Sequence, residues 1–189
     1  MSCLRAEKIL DYLPDPLRKC LRDDSPYVRK TAAICVAKLY DLKAPLALEN
    51  GFIDLLKDML SDPNPMVIAN AVTALSEIQE TIAARGDGGG QQDAESIFKV
   101  DSNLLGKLLI ALGECTEWGR IAILGAVADY RAQNEKEAEH ICERVVPQFQ
   151  HANPSVVLAA IKVSKKNLSS AGLLYLCLIF FGHRLYSYI

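Results

Sequence analysis

Hydrophobic positions recur along this chain in a block that is written more than once. In DDSPYVRKTAAICVAKLY (residues 23–40) and SDPNPMVIANAVTALSEI (residues 61–78), setting Val28 over Val67 aligns the two without a gap. Ser25-Pro26 falls on Asn64-Pro65, Ala32 on Ala71, Cys35 on Ala74 and Leu39 on Ile78, a period of 39 residues. Offsets of i, i+4, i+7 and i+11 mark one face of an α-helix. The Ser/Asn-Pro pair predicts its start: the polar side chain can accept from an orphan amide of the first turn, and proline at the first helical position lacks the amide that would go unpaired. The segment before each copy repeats in step, since Leu17 and Leu21 align with Leu56 and Leu60, so each unit holds two helices.

HANPSVVLAAIKV (residues 151–163) is a further copy, with Asn153-Pro154 opening it and Val156, Ala160 and Val163 on the apolar face. WGRIAILGAVADY (residues 118–130) matches more weakly, placing Ile121, Gly125 and Ala128 on the same offsets without the opening proline. A helix pair with an apolar stripe cannot bury it alone, whereas stacked pairs share a core, and a period of about 40 residues is that of HEAT and armadillo repeats. The expected architecture is therefore all-α: a right-handed α-solenoid of HEAT/armadillo-type helical repeats over residues 1–166. Val67 to Ile121 spans 54 residues, and the excess coincides with RGDGGGQQDAES, residues 85–96, read as an exposed inserted loop. It is no phosphate cradle, because Gln91-Gln92 stand where a Walker loop needs Lys-Ser/Thr opening a helix. After Lys165 or Lys166 the pattern stops. Residues 167–189 carry an unbroken apolar run from Leu173 to Phe181. Nine residues fall short of the roughly 20 that span a bilayer, so the run is expected either to fold onto the end of the stack or to form a poorly ordered, aggregation-prone tail.

Half of the 189 residues are hydrophobic and the net charge is −2, which argues against intrinsic disorder and against a whole-chain attraction to nucleic acid. The six cysteines (Cys3, Cys20, Cys35, Cys115, Cys142, Cys177) are scattered. The middle ones sit in apolar helical patterns, as small buried hydrophobes in a reducing compartment do. MSCLRAEKILDYL has no apolar stretch of the secretory kind, which predicts a chain that stays in the cytoplasm.

Candidate chemistry is sparse. His140, His151 and His183 are far apart. His140, Cys142 and Glu143 come nearest to a metal cluster, but on a helix His140 and Cys142 point about 200° apart. Asp23, Asp24, Asp62 and Asp87 sit in turns, where acidic residues favour helix starts and bends. Arg18, Lys19, Arg22, Arg29 and Lys30 form the one local concentration of charge. They suit either an acidic protein or lipid headgroup surface or, with Asp15, Asp23 and Asp24 among them, plain solvated helix faces. Trp118, the sole tryptophan, is expected to wedge between helices. No residue is assigned to catalysis, a cofactor or a metal, no partner-binding residue is singled out, and no enzyme activity is expected.

Four blocks carry a resemblance: PLRKCLRDDSPYVRKTAAICVAKLYDL (16–42), SDPNPMVIANAVTALSEIQ (61–79), LLIALGECTEWGRIAIL (108–124) and HICERVVPQFQHANPSVVLAAIKV (140–163). In this order they closely resemble the trunk of beta-adaptin, the large beta subunit of clathrin adaptor complexes. Pro147, a residue that costs about 3 kcal/mol inside a helix, is part of the matching pattern. The resemblance implies a non-catalytic scaffold segment acting in intracellular and vesicle-mediated protein transport, through subunit assembly and cargo sorting. Its implied partners are the second large, the medium and the small adaptor subunits. Clathrin would be reached only indirectly, since the hinge and appendage that bind it in the family do not occur here. No nucleic acid is implied, and the implied location is peripheral, on Golgi and endosomal membranes and coated vesicles. The family's trunk is several times longer, so the chain is expected to be a fragment with Met1 an internal methionine and with exposed core ends. The other reading of the repeats is a free-standing helical-repeat binder of peptides or nuclear-transport cargo, which an asparagine and tryptophan ladder along the inner helices would favour.

Overall fold

The structure, a computed structural model, describes residues 10–85 and 97–167. Among these it contains nine α-helices, one 3-10 helix and no strand. The chain divides into two compact units, residues 1–99 and 100–189. The glycine-rich insert 86–96 and the run Leu173–Phe181 lie outside the described residues.

The first unit contains α1 (Pro14–Leu21), α2 (Pro26–Leu42), α3 (Ala44–Glu49), α4 (Phe52–Met59) and α5 (Pro65–Arg85). The proline-opened helices start 39 residues apart, as the sequence period requires. Two helix pairs result: α1 packs on α2 and α4 on α5, and the most extensive packing is between the second helices, α2 on α5. Small residues fill that core. Ala32, Ala33, Val36 and Ala37 of α2 and Ala71, Val72, Ala74 and Leu75 of α5 are buried, with Phe52 and Leu56 of α4 behind them. Fully burying one such leucine or phenylalanine is worth about 1.5–3 kcal/mol, so no pair is self-sufficient and each depends on its neighbour. Gly51 joins α3 to α4 at φ 66°, a left-handed conformation natural to glycine.

The second unit repeats the plan with α6 (Ser102–Glu114), α7 (Glu117–Asp129), α8 (Glu135–Val145), the 3-10 helix Val146–Gln150 and α9 (Pro154–Asn167). Here α6 pairs with α7, and α8 with its 3-10 extension pairs with α9; the second helices α7 and α9 again share the largest interface. Pro147 is accommodated because α8 stops at Val145 and the chain tightens into the 3-10 turn, so proline never occupies an α-helix interior.

The helix starts differ in how they are capped. Asn64 Oδ1 accepts from the Met66 amide at 2.9 Å and Asn153 Oδ1 from the Ser155 amide at 2.9 Å. Ser25 does not cap through its side chain; its own amide donates to Asp23 Oδ1 at 2.8 Å, so the aspartate organises that turn. Asp101 caps α6, accepting from the Leu104 amide at 2.7 Å, and Asn134 caps α8, accepting from Glu137 at 2.8 Å.

One register expectation is overturned. Placing Ile121, Gly125 and Ala128 on the apolar face sets α7 two residues out of step. The helix begins at Glu117, where Pro154 stands in α9, and it buries Ile123, Leu124, Ala126 and Val127 while Gly125 is exposed. Trp118 consequently falls at the second helical position on the outer side and is 74% exposed, so it does not wedge between helices. Thr116, at the capping position, marks the correct start better than the apolar offsets do.

This register has a measurable consequence. Ile123→Ala empties a fully buried site and should cost about 2–5 kcal/mol, whereas Trp118→Ala should stay within about 0.5 kcal/mol, as exposed substitutions do. Urea unfolding of the two variants beside the parent checks this; the opposite order would restore the two-residue shift.

Candidate interaction surface

The charged residues that stood out in the sequence do not form one patch. Arg29, at the fourth helical position of α2, donates from Nε and Nη2 to the two carboxylate oxygens of Asp62 at 2.7 and 2.9 Å. Its Nη1 donates to the carbonyls of Asp23 and Asp24 at 2.8 and 2.9 Å. The side chains of Arg29 and Asp62 are only 15% and 8% exposed. Asp62 also accepts from the Asn64 amide at 2.8 Å, so one carboxylate holds the turn that opens α5 and the arginine of the preceding repeat. The hydrogen bond to Asp62, followed by the charges of Asp62, Asp23 and Asp24, raises the Arg29 pKa above an already high value and keeps it cationic.

The second unit carries the equivalent clamp without the ion pair. Arg120, at the fourth position of α7, donates to the Cys115 carbonyl at 3.1 Å, the Gly113 carbonyl at 3.4 Å and Oε1 of buried Gln148 at 3.0 Å. Each arginine thus closes its own inter-helix turn and reaches the next repeat, Arg29 at the turn before α5 and Arg120 at the 3-10 helix after α8. Nothing in the sequence spacing singled out Arg120 or Gln148. The visible signal would have been an arginine four residues into the second helix, once the α7 register is correct.

Arg18 is likewise structural. It donates to the Asn50 carbonyl and Oδ1, both at 3.1 Å, and lies 5.7 Å from the Phe52 ring centroid. Lys30 sits 4.8 Å over the exposed Tyr27 ring. Only Lys19 and Arg22 of the group are solvated outright. An acidic partner or lipid headgroup would therefore meet a weakened patch, because the guanidinium donors of Arg18 and Arg29 are already committed.

In the second unit a polar joint links α7, α8 and α9. Glu137 accepts from the Gln133 amide at 2.8 Å and from the Ser102 hydroxyl, and these two bonds hold its carboxyl below the usual carboxylate range. The buried Tyr130 hydroxyl has no hydrogen-bond partner and is pushed upward, by burial first and by the neighbouring Glu137 second. Asn167 closes the far end, with its Oδ1 accepting from the Ala132 amide at 2.9 Å and its Nδ2 donating to the Tyr130 carbonyl at 3.3 Å. A shallow depression of about 450 Å³ opens beside this joint, lined by Arg131, Gln133, Asn134, Glu135, Lys166 and Asn167. Lys166 is engaged with Asp129, donating to its carbonyl at 3.0 Å.

The other candidate residues are dispersed. His140 is exposed, and half-buried Cys142 lies on another side of α8; His151 Nδ1 accepts from the Asn153 amide at 3.0 Å, and His183 lies outside the described residues. No group of three or more His, Cys, Asp or Glu among the described residues is placed to hold a metal ion. Burial raises the thiols of Cys35 and Cys142 and pushes Cys115 up to about 11, which keeps all three protonated at neutral pH. No helix among the described residues is long and apolar enough to cross a membrane. Among the described residues the exposed large hydrophobic side chains are Tyr12, Tyr27, Leu42 and Leu48 in the first unit and Ile110, Trp118, Leu158 and Ile161 in the second.

Helix pairs stacked through their second helices and clamped by one arginine in each unit define an all-α helical-repeat protein. Residues 1–165 match the family described as Cnd1, non-SMC mitotic condensation complex subunit 1, and the chain belongs to that family. The beta-adaptin resemblance holds over nearly the whole chain. AP-1 complex subunit beta-1 of Mus musculus is 52% identical over 166 residues, covering 88% of this chain and 16% of that protein. AP-1 complex subunit beta-1 of Saccharomyces cerevisiae is 46% identical over 168 residues, covering 89% and 22%. AP-2 complex subunit beta of Schizosaccharomyces pombe is 39% identical over 151 residues, covering 79% and 20%. The chain thus spans about a fifth or less of the length of these beta-adaptin relatives.

Two outcomes test this geometry. Breaking the first clamp with Arg29→Ala strands a largely buried carboxylate and should cost about 2–4 kcal/mol in denaturant unfolding, with Arg29→Lys recovering less than half because an ammonium cannot serve both carboxylate oxygens and two carbonyls together. The depressed Glu137 carboxyl contributes stability that is present above its ordinary value of 4.5 and is lost as pH falls through the lower folded value. Thermal melts from pH 7 to pH 3 should therefore decline less steeply below pH 4.5 in Glu137→Gln than in the parent; equal slopes would remove Glu137 from the joint.

Proposed function

We propose that this chain is a non-catalytic scaffold segment of a clathrin adaptor beta subunit, acting in intracellular and vesicle-mediated protein transport through subunit assembly and cargo sorting. The observation that carries the reading is the 46–52% identity to AP-1 beta subunits over 166–172 residues, which runs through both helical-repeat units. The fold supports it physically. Repeat helices fixed by internal clamps present rigid side-chain surfaces, which suits holding another subunit better than enclosing a small substrate. The partners in this reading are the second large, the medium and the small adaptor subunits. Clathrin is reached through the assembled complex, and membrane association at the Golgi and endosomes is peripheral and shared with those subunits.

Isolation of the endogenously tagged chain from its native cell, followed by mass spectrometry, tests the proposal. The expected co-purifying proteins are the other three adaptor subunits in comparable amounts. Their absence would overturn it, and recovery of chromosome-condensation subunits instead would favour the function named in the family description.

A further inference from the structure

Two of the second helices open on an exposed aromatic side chain, and only one of these has a charged partner of its own. Tyr27 stands at the second position of α2 and Trp118 at the second position of α7, each two residues before the clamp arginine, Arg29 or Arg120. They are 69% and 74% exposed. The second residues of α5 and α9 are Met66 and Ser155, so the aromatic goes with the arginine clamp. The preceding turns correspond as well: Asp23 lies three residues before the first residue of α2, Glu114 three residues before that of α7, and both are exposed.

In α2 the aromatic face is occupied. Lys30, at the fifth helical position, holds its ammonium 4.8 Å from the Tyr27 ring centroid, where the negative face of the ring attracts a cation. In α7 the fifth position is Ile121, which has no charge to offer. Arg120, the nearest cation in the chain, is committed to the Cys115 and Gly113 carbonyls and to Gln148. Among the described residues no cation lies over Trp118.

The carboxylates beside Trp118 are uncompensated too. Glu117 is exposed and accepts from the neutral side-chain amide of Asn153 at 3.0 Å, and neither it nor Glu114 is in an ion pair among the described residues. Glu117 suits a helix start, but Glu114 is the last residue of α6, where the helix dipole disfavours a negative charge, so it does not serve its own helix. A single exposed apolar side chain needs no explanation. What distinguishes Trp118 is that it reproduces the frame around Tyr27, acidic turn and aromatic together, without the lysine.

We propose that Trp118, with Glu114 and Glu117, is a docking point for a lysine or arginine side chain carried by a basic segment of another protein, the incoming cation lying over the indole as Lys30 lies over Tyr27. Tryptophan is the best aromatic for such a contact. Arginine fits better than lysine, because its planar guanidinium can stack on the ring while donating to a carboxylate. The site is built within the second unit and does not depend on which complex the chain enters.

Trp118 is the sole tryptophan, so its fluorescence reads the site directly. Titrating the purified 189-residue chain at low salt with a blocked tetra-arginine peptide should give a saturable change in tryptophan emission that a tetraglutamine peptide does not produce. Anisotropy of a dye-labelled form of the arginine peptide measures binding without the indole signal. Trp118→Ala, and separately Glu114→Gln with Glu117→Gln, should each weaken that binding by about threefold or more while helical circular dichroism stays that of the parent; glutamine at 117 keeps an acceptor for Asn153. Equal affinity in Trp118→Ala and the parent, or binding that leaves the emission unchanged, would assign the attraction to the general acidity of the chain and overturn the proposal. No binding at millimolar peptide would overturn it as well.

Discussion

The contact on which the rest of this structure depends is the packing of one second helix against the next, α2 on α5 and α7 on α9. An isolated helix pair of this size has too little apolar surface to offset its conformational entropy, since ordering each residue's backbone alone costs about 1–2 kcal/mol. Laying a second pair alongside turns two half-covered stripes into one shared core. Alanine and valine dominate the interface in the first unit because the helices must approach closely, and any larger side chain there would separate them. Van der Waals contact at that distance is what makes the small residues stabilising.

Packing of apolar stripes resists separation but does little to prevent one helix sliding along another. The two arginines supply that fixity. Arg29 and Arg120 occupy the same helical position, close the turn before their own helix, and extend to a residue of the next repeat. One meets a carboxylate and the other a neutral amide, so it is the placement of directional hydrogen bonds, more than charge, that is shared. A bidentate fork reports misalignment of even an ångström or so as lost bonds, which nonpolar packing does not. This use of the arginines also explains why the conspicuous basic residues of the sequence are spent internally.

Much was legible in the chain itself. The 39-residue period, the paired helices and the proline-marked starts of α2, α5 and α9 follow from local rules, and the structure places them there. The family blocks led to beta-adaptin, and the identities to its members support that reading. The misreadings have two causes. In α7 no proline fixes the start, and a helix rich in apolar residues around its circumference offers more than one acceptable stripe, so Ile121, Gly125 and Ala128 looked as suitable as Ile123, Ala126 and Val127. Trp118 was misplaced with them. The basic group around Arg18 and Arg29 was misjudged because proximity in sequence does not reveal partners 32 and 33 residues away.

What the sequence by itself determined is the element type and its recurrence, because helix periodicity, capping and proline geometry act over a few residues. Which stripe of α7 turns inward, which arginine meets which acceptor, and which apolar side chains remain on the surface were decided only by the tertiary structure. Those outcomes depend on contacts between turns a full repeat apart, where burial of one face is settled by the neighbour that covers it.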